Sequence, residues 1–462
     1  MTIDRVFTPG LAQVAYLVAD ESAGEVAVID PRRDVQSYLD WATERGLRIV
    51  AILETHVHAD FVSGALELQA ASGAPIYASR LGNQEFEHVP IDDRDNIAVG
   101  RLTLEARWTP GHTPEHLAFV LFDPAVGNEA IAFFSGDLLF VGDVGRPDLL
   151  GSKQTEGLAN HLFDTFATRL ADLPDRVIVY PGHTAGSSCG KRIGDAPTTT
   201  LGNERKHNYA LQQKQREAFI AAVMDTMPLP PAYYPTMKAV NTVGARPLDG
   251  LTTGGMLTPD AVARFIDEGA VLIDARSAEA FDRCHIPGVY FAGETPDFVN
   301  WVGWRAPYDR PLVLLLNDDG DFDQYVTELH RIGLDMVAGF LQGGIDAWTS
   351  SGRPVRSLRG VSPMQLHRSI ESGEMVTIID VRTESEWIDG HIPGSKNVFA
   401  GRIATGAQLD SPQAGEIALA CATGYRSRVA ASMLAARGVE NLLQLTGGLD
   451  AWAASGYPVE AA

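Results

Sequence analysis

Residues 1–225 alternate short apolar runs with amphipathic segments. The runs VAYLVAD, RIVAILET and HLAFVLF are rich in β-branched residues and bounded by turn residues, which predicts strands. The segments DVQSYLDWATERG and GLANHLFDTFATRLADLP end near Gly or Pro, as helices commonly do. Many strands with few helices in this order predict a sandwich of two sheets with helices outside. The proline-rich MPLPPAYYPTMK at 227–238 then interrupts the pattern and is interpreted as a linker.

An internal repeat dominates the second half of the chain. VLIDARSAEAFDRCHIPG (271–288) matches TIIDVRTESEWIDGHIPG (377–394), and LQGGIDAWTSSGRPV (341–355) matches LTGGLDAWAASGYPV (445–459). A repeat of this length indicates two domains of about 100 residues each, and the alternation of strand and helix predicts that they are α/β. The predicted domains of the whole chain are 1–240, 258–355 and 361–462.

The chain is strongly acidic, with 37 Lys and Arg residues against 59 Asp and Glu residues and a formal net charge of −22. This charge argues against nucleic acid or an anionic membrane surface as a partner. No apolar run approaches the roughly 18 residues that span a bilayer, and the N-terminal stretch lacks the basic start and apolar core of a secretory signal. Three cysteines are too few for a disulfide framework. We therefore expect a cytoplasmic protein, and the sequence leaves open whether it forms a homo-oligomer.

Four loops at the ends of predicted strands in the first domain carry histidine or aspartate. They are ETHVHAD, TPGHTPEH, FFSGDLLF and VYPGHTAG, and their candidate metal ligands are His56, His58, Asp60, His112, Asp137 and His183. Neutral imidazole and charged carboxylate groups bind metals, and strand-end loops present both with little adjustment. One histidine alone is more often structural, whereas four such loops in this order predict a metal centre.

The residues alone leave the identity of the metal open. If only His56, His112 and Asp137 bind, they form a two-histidine, one-carboxylate face with open positions, which suits Fe(II) that must bind a substrate and O₂. If His58 also binds, three histidines and an aspartate suit zinc and hydrolysis equally well. Zinc outcompetes Fe(II) at most such sites, so the purified protein can carry zinc instead.

The stretch THVHADFVSG (55–64) resembles the H-x-H-x-D-H signature of the metallo-β-lactamase superfamily, except that Phe61 replaces the last histidine. The resemblance includes all four loops and implies an αββα sandwich of the α+β class. In two-metal members of that superfamily, the second metal takes residues that match Asp60, position 61, His183 and a shared Asp137. Because phenylalanine cannot bind a metal, the second site is weakened and we expect a single metal ion per chain.

The stretches FFSGDLLFVGDVGRPDL and TTLGNERKHN narrow the resemblance to persulfide dioxygenases. That family implies one Fe(II) per chain as the cofactor, held at His56, His112 and Asp137. It also implies oxidation of glutathione persulfide by O₂ to sulfite and glutathione. The other three candidate ligands then orient the bound groups and nearby water: His58, Asp60 and His183. The same resemblance implies three contacts with glutathione, whose carboxylates suit bidentate pairing with guanidinium: Arg146, Tyr180 and Arg205.

The segment IALACATGYRSRVAASMLAARG predicts a strand, a loop from Cys421 to Arg426, and a helix. A thiol at a helix N-terminus meets aligned backbone N–H groups, which favour an anion. Gly424 permits the tight turn that directs these groups inward, and Arg426 is suited to hold a sulfonate or carboxylate. This C-x-x-G-x-R loop, with DVR, GHIPG and GGLDAW around it, resembles rhodanese sulfurtransferases and implies that Cys421 carries a sulfane sulfur.

The first repeat lacks these residues. Counted back from the Gly-Gly pair that both repeats share, Asn317 aligns with Cys421 and Phe322 aligns with Arg426. Residues 258–355 are therefore expected to form an inactive rhodanese-like copy with a structural or docking role. Two cysteines lie outside the loop and are interpreted as bystanders: Cys189 and Cys284.

These features together predict an enzyme that oxidises glutathione persulfide at one iron and moves sulfane sulfur between thiosulfate and glutathione. Two alternatives remain: a zinc-dependent thioester hydrolase of the hydroxyacylglutathione type, and a sulfur-responsive binding protein with an inert metal domain. Phe61 argues against the hydrolase, and the complete set of His56, His112 and Asp137 argues against the binding protein. The sequence does not define the direction of sulfur transfer.

Overall fold

The computed structural model describes residues 1–409 and 415–461. These residues cluster into two compact units, the first comprising Met1–Leu251 with His330–Gly333 and the second comprising the remainder. In the described part of the chain, every helix is too short or too polar to span a bilayer.

The first unit contains two six-stranded sheets, in which β1 to β3 are antiparallel, β3 to β6 are parallel, and β10 and β11 form a parallel pair in the second sheet. The first sheet has the order β1-β2-β3-β4-β5-β6, with bounds β1 Thr2–Thr8, β2 Gln13–Asp20, β3 Glu25–Ile29, β4 Arg48–Leu53, β5 Ile76–Ser79 and β6 Val89–Ile91. The second has the order β12-β11-β10-β9-β8-β7, with bounds β7 Asn96–Val99, β8 Leu102–Trp108, β9 Leu117–Phe122, β10 Ala132–Gly136, β11 Ile178–Pro181 and β12 Thr199–Thr200.

The two sheets share one apolar core. Alternate residues of a strand point to the same face, and Val14, Tyr16 and Val18 of β2 pack in one cluster with Leu104 of β8 and Phe119 of β9. Helices cover the outer faces, with bounds α1 Gln36–Glu44, α2 Ala65–Ser72, α3 Ser152–Asp164, α4 Leu201–His207, α5 Arg216–Met224 and α6 Tyr234–Val243. Helices α1 and α2 pack on the first sheet, while α3 to α5 pack on the second. The predicted αββα sandwich is confirmed.

The second unit contains two five-stranded parallel sheets, one for each sequence repeat, which confirms the prediction of two α/β domains. The first sheet has the order β13-β17-β16-β14-β15, with bounds β13 Gly255–Leu257, β14 Val271–Asp274, β15 Tyr290–Phe291, β16 Leu312–Leu315 and β17 Val337–Leu341. Its helices are α7 Pro259–Asp267, α8 Ala278–Arg283, α9 Phe298–Arg305, α10 Phe322–Arg331 and α11 Gly344–Ser350.

The second repeat has the same arrangement. Its sheet has the order β18-β22-β21-β19-β20, with bounds β18 Arg359–Val361, β19 Val376–Asp380, β20 Lys396–Asn397, β21 Glu416–Ala420 and β22 Leu442–Leu445. Its helices are α12 Pro363–Ser372, α13 Glu384–Asp389, α14 Ala400–Ala404, α15 Tyr425–Ala435 and α16 Gly448–Ala454. Apolar residues of β19, β21 and β22 form a buried cluster with Trp452.

Candidate metal centre and thiol loop

The loops that follow four strands of the sandwich bring the predicted ligands together. Because β10 and β11 are parallel neighbours, their carboxyl ends meet at one edge of the sheet, and Asp137 and His183 lie side by side. Gly136 turns this edge with φ of +49°, and a Cβ there would lie only 2.7 Å from the Thr55 hydroxyl oxygen. A glycine is therefore required where β10 passes the loop that carries His56.

His56, His112 and Asp137, here called the metal set, are buried and converge on one point. Asp137 Oδ2 lies 3.9 Å from His56 Nε2 and 3.6 Å from His112 Nε2. Atoms that bind one metal ion at about 2.1 Å are roughly 3–4 Å apart, so these distances suit three ligands of a single ion. Among the described residues, neither His56 Nε2 nor Asp137 Oδ2 has a hydrogen-bond partner.

The outer ring nitrogens of the two histidines are fixed by neighbours. His56 Nδ1 lies 2.9 Å from the Thr55 hydroxyl, and His112 Nδ1 lies 3.0 Å from the carbonyl oxygen of Arg146. A hydrogen bond at one ring nitrogen orients the other toward a metal. The imidazoles are therefore held with Nε2 facing Asp137.

Burial sets the protonation of the metal set. Desolvation lowers the pKa of His56 well below its ordinary value, and it also lowers the pKa of His112. Burial opposes ionisation of Asp137, but the neighbouring His183 outweighs this effect and lowers the pKa of the carboxyl. Two neutral imidazoles and one carboxylate are the protonation states that metal binding requires.

His183 and Asp60 lie behind Asp137. His183 Nδ1 is 2.7 Å from Asp137 Oδ1, and His183 Nε2 is 2.8 Å from Asp60 Oδ2. Cys189 belongs to the same buried group, since ligand atoms of Asp60, His183 and Cys189 lie within 4.8 Å of one another. Burial raises the pKa of the Cys189 thiol well above its ordinary value. Cys189 therefore lies closer to the metal set than its sequence position suggested, and its interpretation as a bystander stays a prediction.

His58 belongs to a different buried group. Its Nε2 lies 3.1 Å from Asp30 Oδ1 and 3.8 Å from Glu54 Oε2. Burial opposes protonation of His58, but Asp30 outweighs it and raises the pKa to about 9. Phe61 is fully buried, with its ring centroid 4.4 Å from that of His58. Two carboxyl groups and an apolar ring therefore hold His58 outside the metal set.

The two arginines expected to contact glutathione already have partners. The buried guanidinium of Arg146 donates to Asp148 and to the carbonyl oxygens of Ser188 and Pro228. Only the carbonyl of Arg146 meets the metal set, through His112. The guanidinium of Arg146 therefore braces the surrounding loops, and its contact with glutathione stays a prediction.

Arg205 and Tyr180 also have partners within the protein, and their contacts with glutathione stay predictions. Arg205 donates to Asp175 and to two backbone carbonyls of the segment that follows α3. It lines an apolar cavity between α3, α4 and α5 that includes no member of the metal set. Tyr180 is half-buried in the sandwich core, where its ring packs 5.5 Å from Tyr16 and 5.1 Å from Phe134. Within the described part of the chain, neither Arg205 nor Tyr180 contacts the metal set.

The segment interpreted as a linker contains α6, which closes the metal loop. Asn241 of α6 donates to the carbonyl oxygens of His58 at 2.9 Å and Phe61 at 2.7 Å, and it accepts from Ser63 N at 2.9 Å. The linker interpretation is therefore wrong. The sequence does contain a signal for this helix, because Pro235 lies in its first turn, where proline is favoured.

Helix α6 also supplies a cation, Lys238, that no pattern in the sequence indicated. Lys238 Nζ lies 3.4 Å from Glu115 Oε1, and its side chain is 26% exposed. Burial and the neighbouring titratable groups are the larger causes of the pKa shifts of His56 and His112. The positive charge of Lys238 is a further cause, and it lowers the pKa of both histidines. An ammonium group that is partly open to solvent therefore lies near the metal set.

The thiol loop of the second repeat joins β21 to α15. Cys421 is buried, and its Sγ accepts a hydrogen bond from Gly424 N at 3.1 Å. Gly424 has φ of +101°, which favours glycine and turns this N–H toward the sulfur. Arg426 pairs with both carboxylate oxygens of Glu386 at 2.7 Å. Burial opposes ionisation of Glu386, but Arg426 outweighs it and lowers the pKa of the carboxyl to about 2.

The first repeat places other residues at the equivalent loop. Asn317 donates to Glu294, and Phe322 is buried against Phe340 with ring centroids 4.7 Å apart. Cys284 and Asn317 both line a cavity of about 900 Å³. Cys284 is therefore not remote from the loop, as its sequence position suggested, but lies in the wall of the same cavity.

Family models match two parts of the chain. The metallo-beta-lactamase superfamily model matches residues 8–183, and the rhodanese-like domain model matches 258–351 and 362–455. A crystal structure of a metallo-beta-lactamase from Staphylococcus aureus subsp. aureus COL is 34% identical with a TM-score of 0.67, and the match covers 73% of this chain and 98% of that one. The chain thus belongs to the metallo-beta-lactamase superfamily and carries two rhodanese-like domains after the metal-binding sandwich.

Two further relatives bear on the chemistry. The persulfide dioxygenase ETHE1 of Bos taurus is 34% identical over 186 residues, which are 39% of this chain and 66% of that protein. A hydroxyacylglutathione hydrolase of Polaromonas sp. is 35% identical over 187 residues, which are 40% of this chain and 66% of that protein. The chain therefore spans just under two thirds of the length of each relative. Similarity to persulfide dioxygenases together with the rhodanese-like domains supports an enzyme of sulfur metabolism.

Proposed function

We propose that the chain oxidises glutathione persulfide with O₂ and water to sulfite and glutathione at a single Fe(II). We also propose that its C-terminal rhodanese-like domain transfers sulfane sulfur between thiosulfate and glutathione. The first reaction consumes one persulfide, one O₂ and one water and releases one sulfite and one glutathione. The second can supply its persulfide, and tethering both domains raises the local concentration of that intermediate.

The metal set carries the first half of the proposal. Two neutral imidazoles and one carboxylate present three facing atoms, two of which have no hydrogen-bond partner among the described residues. Such a set fits Fe(II) and leaves coordination positions open. Iron bound there would supply the redox chemistry with O₂ and a Lewis acid for the persulfide sulfur.

The side chains around the metal set have separate tasks. His183 engages Oδ1 of Asp137 and leaves Oδ2 for the metal. The Arg146 carbonyl holds the imidazole of His112 in one orientation. Phe61 makes one wall apolar where a second metal would need a histidine. Lys238, whose side chain is partly exposed, offers its ammonium group to an anionic persulfide.

Cys421 carries the second half of the proposal. Its thiolate attacks the sulfane sulfur of thiosulfate, a sulfur–sulfur bond forms, and sulfite leaves with the electron pair of the broken bond. The thiolate of glutathione then attacks the outer sulfur, and Cys421 leaves as a thiolate. The N–H of Gly424 faces this sulfur at 3.1 Å and stabilises its anionic form at both ends of the cycle.

Thioester hydrolysis by a zinc form is the alternative, and the similarity to a hydroxyacylglutathione hydrolase favours it. Hydrolysis by water between two metals needs a ligand at position 61, which Phe61 cannot provide. The two activities require different metals and substrates, so the iron-loaded and zinc-loaded forms of the same protein distinguish them.

Oxygen uptake by anaerobically purified, Fe(II)-loaded protein on addition of glutathione persulfide tests the proposal. Uptake with equimolar sulfite is expected, and His112→Ala should abolish both uptake and iron binding. His161→Ala, which alters an exposed histidine of α3, should leave both unchanged. Absence of uptake by the iron form, combined with thioester hydrolysis by the zinc form, would replace this proposal with the hydrolase.

A further inference from the structure

The two rhodanese-like domains share an interface that includes the helix following the thiol loop. Tyr425 donates from its hydroxyl to the carbonyl of Ala292 at 2.5 Å, and the Ser432 hydroxyl accepts from Phe291 N at 3.0 Å. Arg428, between them, donates to both carboxylate oxygens of Asp282 at 2.7–3.0 Å. These three positions of α15 are spaced by three and four residues, so they lie on one helix face. The face points to the first copy.

A continuous chain of hydrogen bonds joins this interface to the nucleophile. Arg428 Nη1 donates to the carbonyl of Gly424 at 2.8 Å, and Gly424 N donates to Cys421 Sγ at 3.1 Å. Arg428 itself is buried, and Asp282 of α8 holds its guanidinium in a bidentate pair. Bidentate pairs fix a guanidinium in orientation as well as position. Asp282 is therefore connected to the sulfur through two residues of the other copy.

The repeats differ at the positions that make this chain. Aligned without gaps on their shared Asp and His, Ala280 corresponds to Glu386, and Asp282 corresponds to Ile388. Glu386 pairs with Arg426 inside the active copy, whereas Ile388 is exposed. The first copy thus has Ala280 where the second copy has the acid that pairs with its loop arginine. It has an acid, Asp282, where the second copy has the apolar Ile388. Asp282 pairs with Arg428 of the second copy.

We propose that the first rhodanese-like copy is a positioning element for the Cys421 loop, and that Asp282 acts through Arg428 to keep the Gly424 N–H directed at the sulfur. This inference rests on the sulfur-transfer half of the proposed function. The hydrogen bond matters most when the sulfur is anionic, which occurs before attack on thiosulfate and again when glutathione removes the sulfane sulfur. Asp282 touches neither substrate nor sulfur, so its effect is on the geometry of the loop.

Asp282→Ala and Asp282→Asn in the full-length protein distinguish geometry from charge. If Asp282 acted only through its negative charge, removing that charge would favour the Cys421 thiolate. The pH midpoint of Cys421 alkylation would then fall equally in both variants. Loss of positioning shifts the midpoint upward, and it shifts it less in Asp282→Asn, because the amide oxygen still accepts from Arg428. The rate of alkylation by iodoacetamide is followed on the Cys421 peptide by mass spectrometry.

In Asp282→Ala we expect the pH midpoint of Cys421 alkylation to rise. We also expect sulfur transfer from thiosulfate to glutathione to become about tenfold slower, because one charge-assisted hydrogen bond is lost. Asp260→Ala, which removes an acid that pairs with Arg353 elsewhere in the first copy, should match the wild type. If Asp282→Ala fails to fold by thermal unfolding, Asp282→Asn and Tyr425→Phe carry the comparison. An unmoved or lowered midpoint with unchanged transfer overturns the inference. A wild type that transfers no sulfur overturns the proposed function instead, since the alkylation profile still tests the positioning.

Discussion

Lys238→Met is the sharpest test of how the metal domain meets an anionic substrate. An ammonium and a thiolate about 4 Å apart attract each other by about 4 kcal/mol at an effective dielectric constant near 20. Glu115, 3.4 Å away, already takes part of this attraction, and the substrate must shed water. We therefore expect Lys238→Met to reduce the binding free energy of the persulfide by about 1.4 kcal/mol, which corresponds to about tenfold weaker binding.

Steady-state oxygen uptake with varied glutathione persulfide measures this effect. KM is expected to rise about tenfold while kcat changes by less than about twofold, because the contact is made equally before and during the reaction. Lys238→Arg should keep most of the affinity, since it keeps the charge. Lys153→Met removes an exposed lysine of α3 and serves as the matched control. An unchanged KM in Lys238→Met with wild-type iron content would refute this reasoning.

The thiol loop, the apolar wall and the His58 group can each be perturbed separately. Cys421→Ser should abolish sulfur transfer from thiosulfate to glutathione but leave oxygen uptake with supplied glutathione persulfide intact; loss of both activities would contradict independent sites. Phe61→His should raise the bound metal from one to two ions per chain, as an imidazole joins Asp60 and its neighbours, at a cost of about 2 kcal/mol in stability; elemental analysis that stays at one ion per chain would contradict it. The pKa of His58 is raised from 6.5 to about 9 by Asp30, so its stabilisation is complete below about pH 6.5 and is lost as pH rises through about 9. Denaturant unfolding of metal-free protein should therefore show a falling free energy of unfolding across this range, flattened in Asp30→Asn, and a flat wild-type profile would count against the pairing.

The sequence predicted the layers of the fold and the loops of the metal centre because both depend on local order. Strands with β-branched residues and polar residues at their ends are visible in a window of ten residues. The shared edge of β10 and β11 then places Asp137 beside His183. The repeat revealed two α/β domains without any knowledge of their contacts.

Partners distant in sequence explain what was missed. Arg146 is occupied by a carbonyl of Pro228, 82 residues later, and no local pattern indicates that a guanidinium will be used internally. Lys238 was hidden in a segment whose prolines suggested a linker, although they only precede and begin α6. Asp282 is an ordinary surface acid by sequence, and its role depends on Arg428 in the other repeat.

The hydrogen bonds of Asn241 have a consequence for anyone who redesigns or transplants the metal domain. The metallo-beta-lactamase family model matches residues 8–183, yet Asn241, which lies beyond that match, donates to two carbonyls of the loop that begins with His56. A fragment that ended at residue 183 would contain the metal set but lack the Asn241 hydrogen bonds that shape the His56 loop. A transferable metal domain must therefore include α6, and the compact unit that contains α6 extends to Leu251 and includes His330–Gly333.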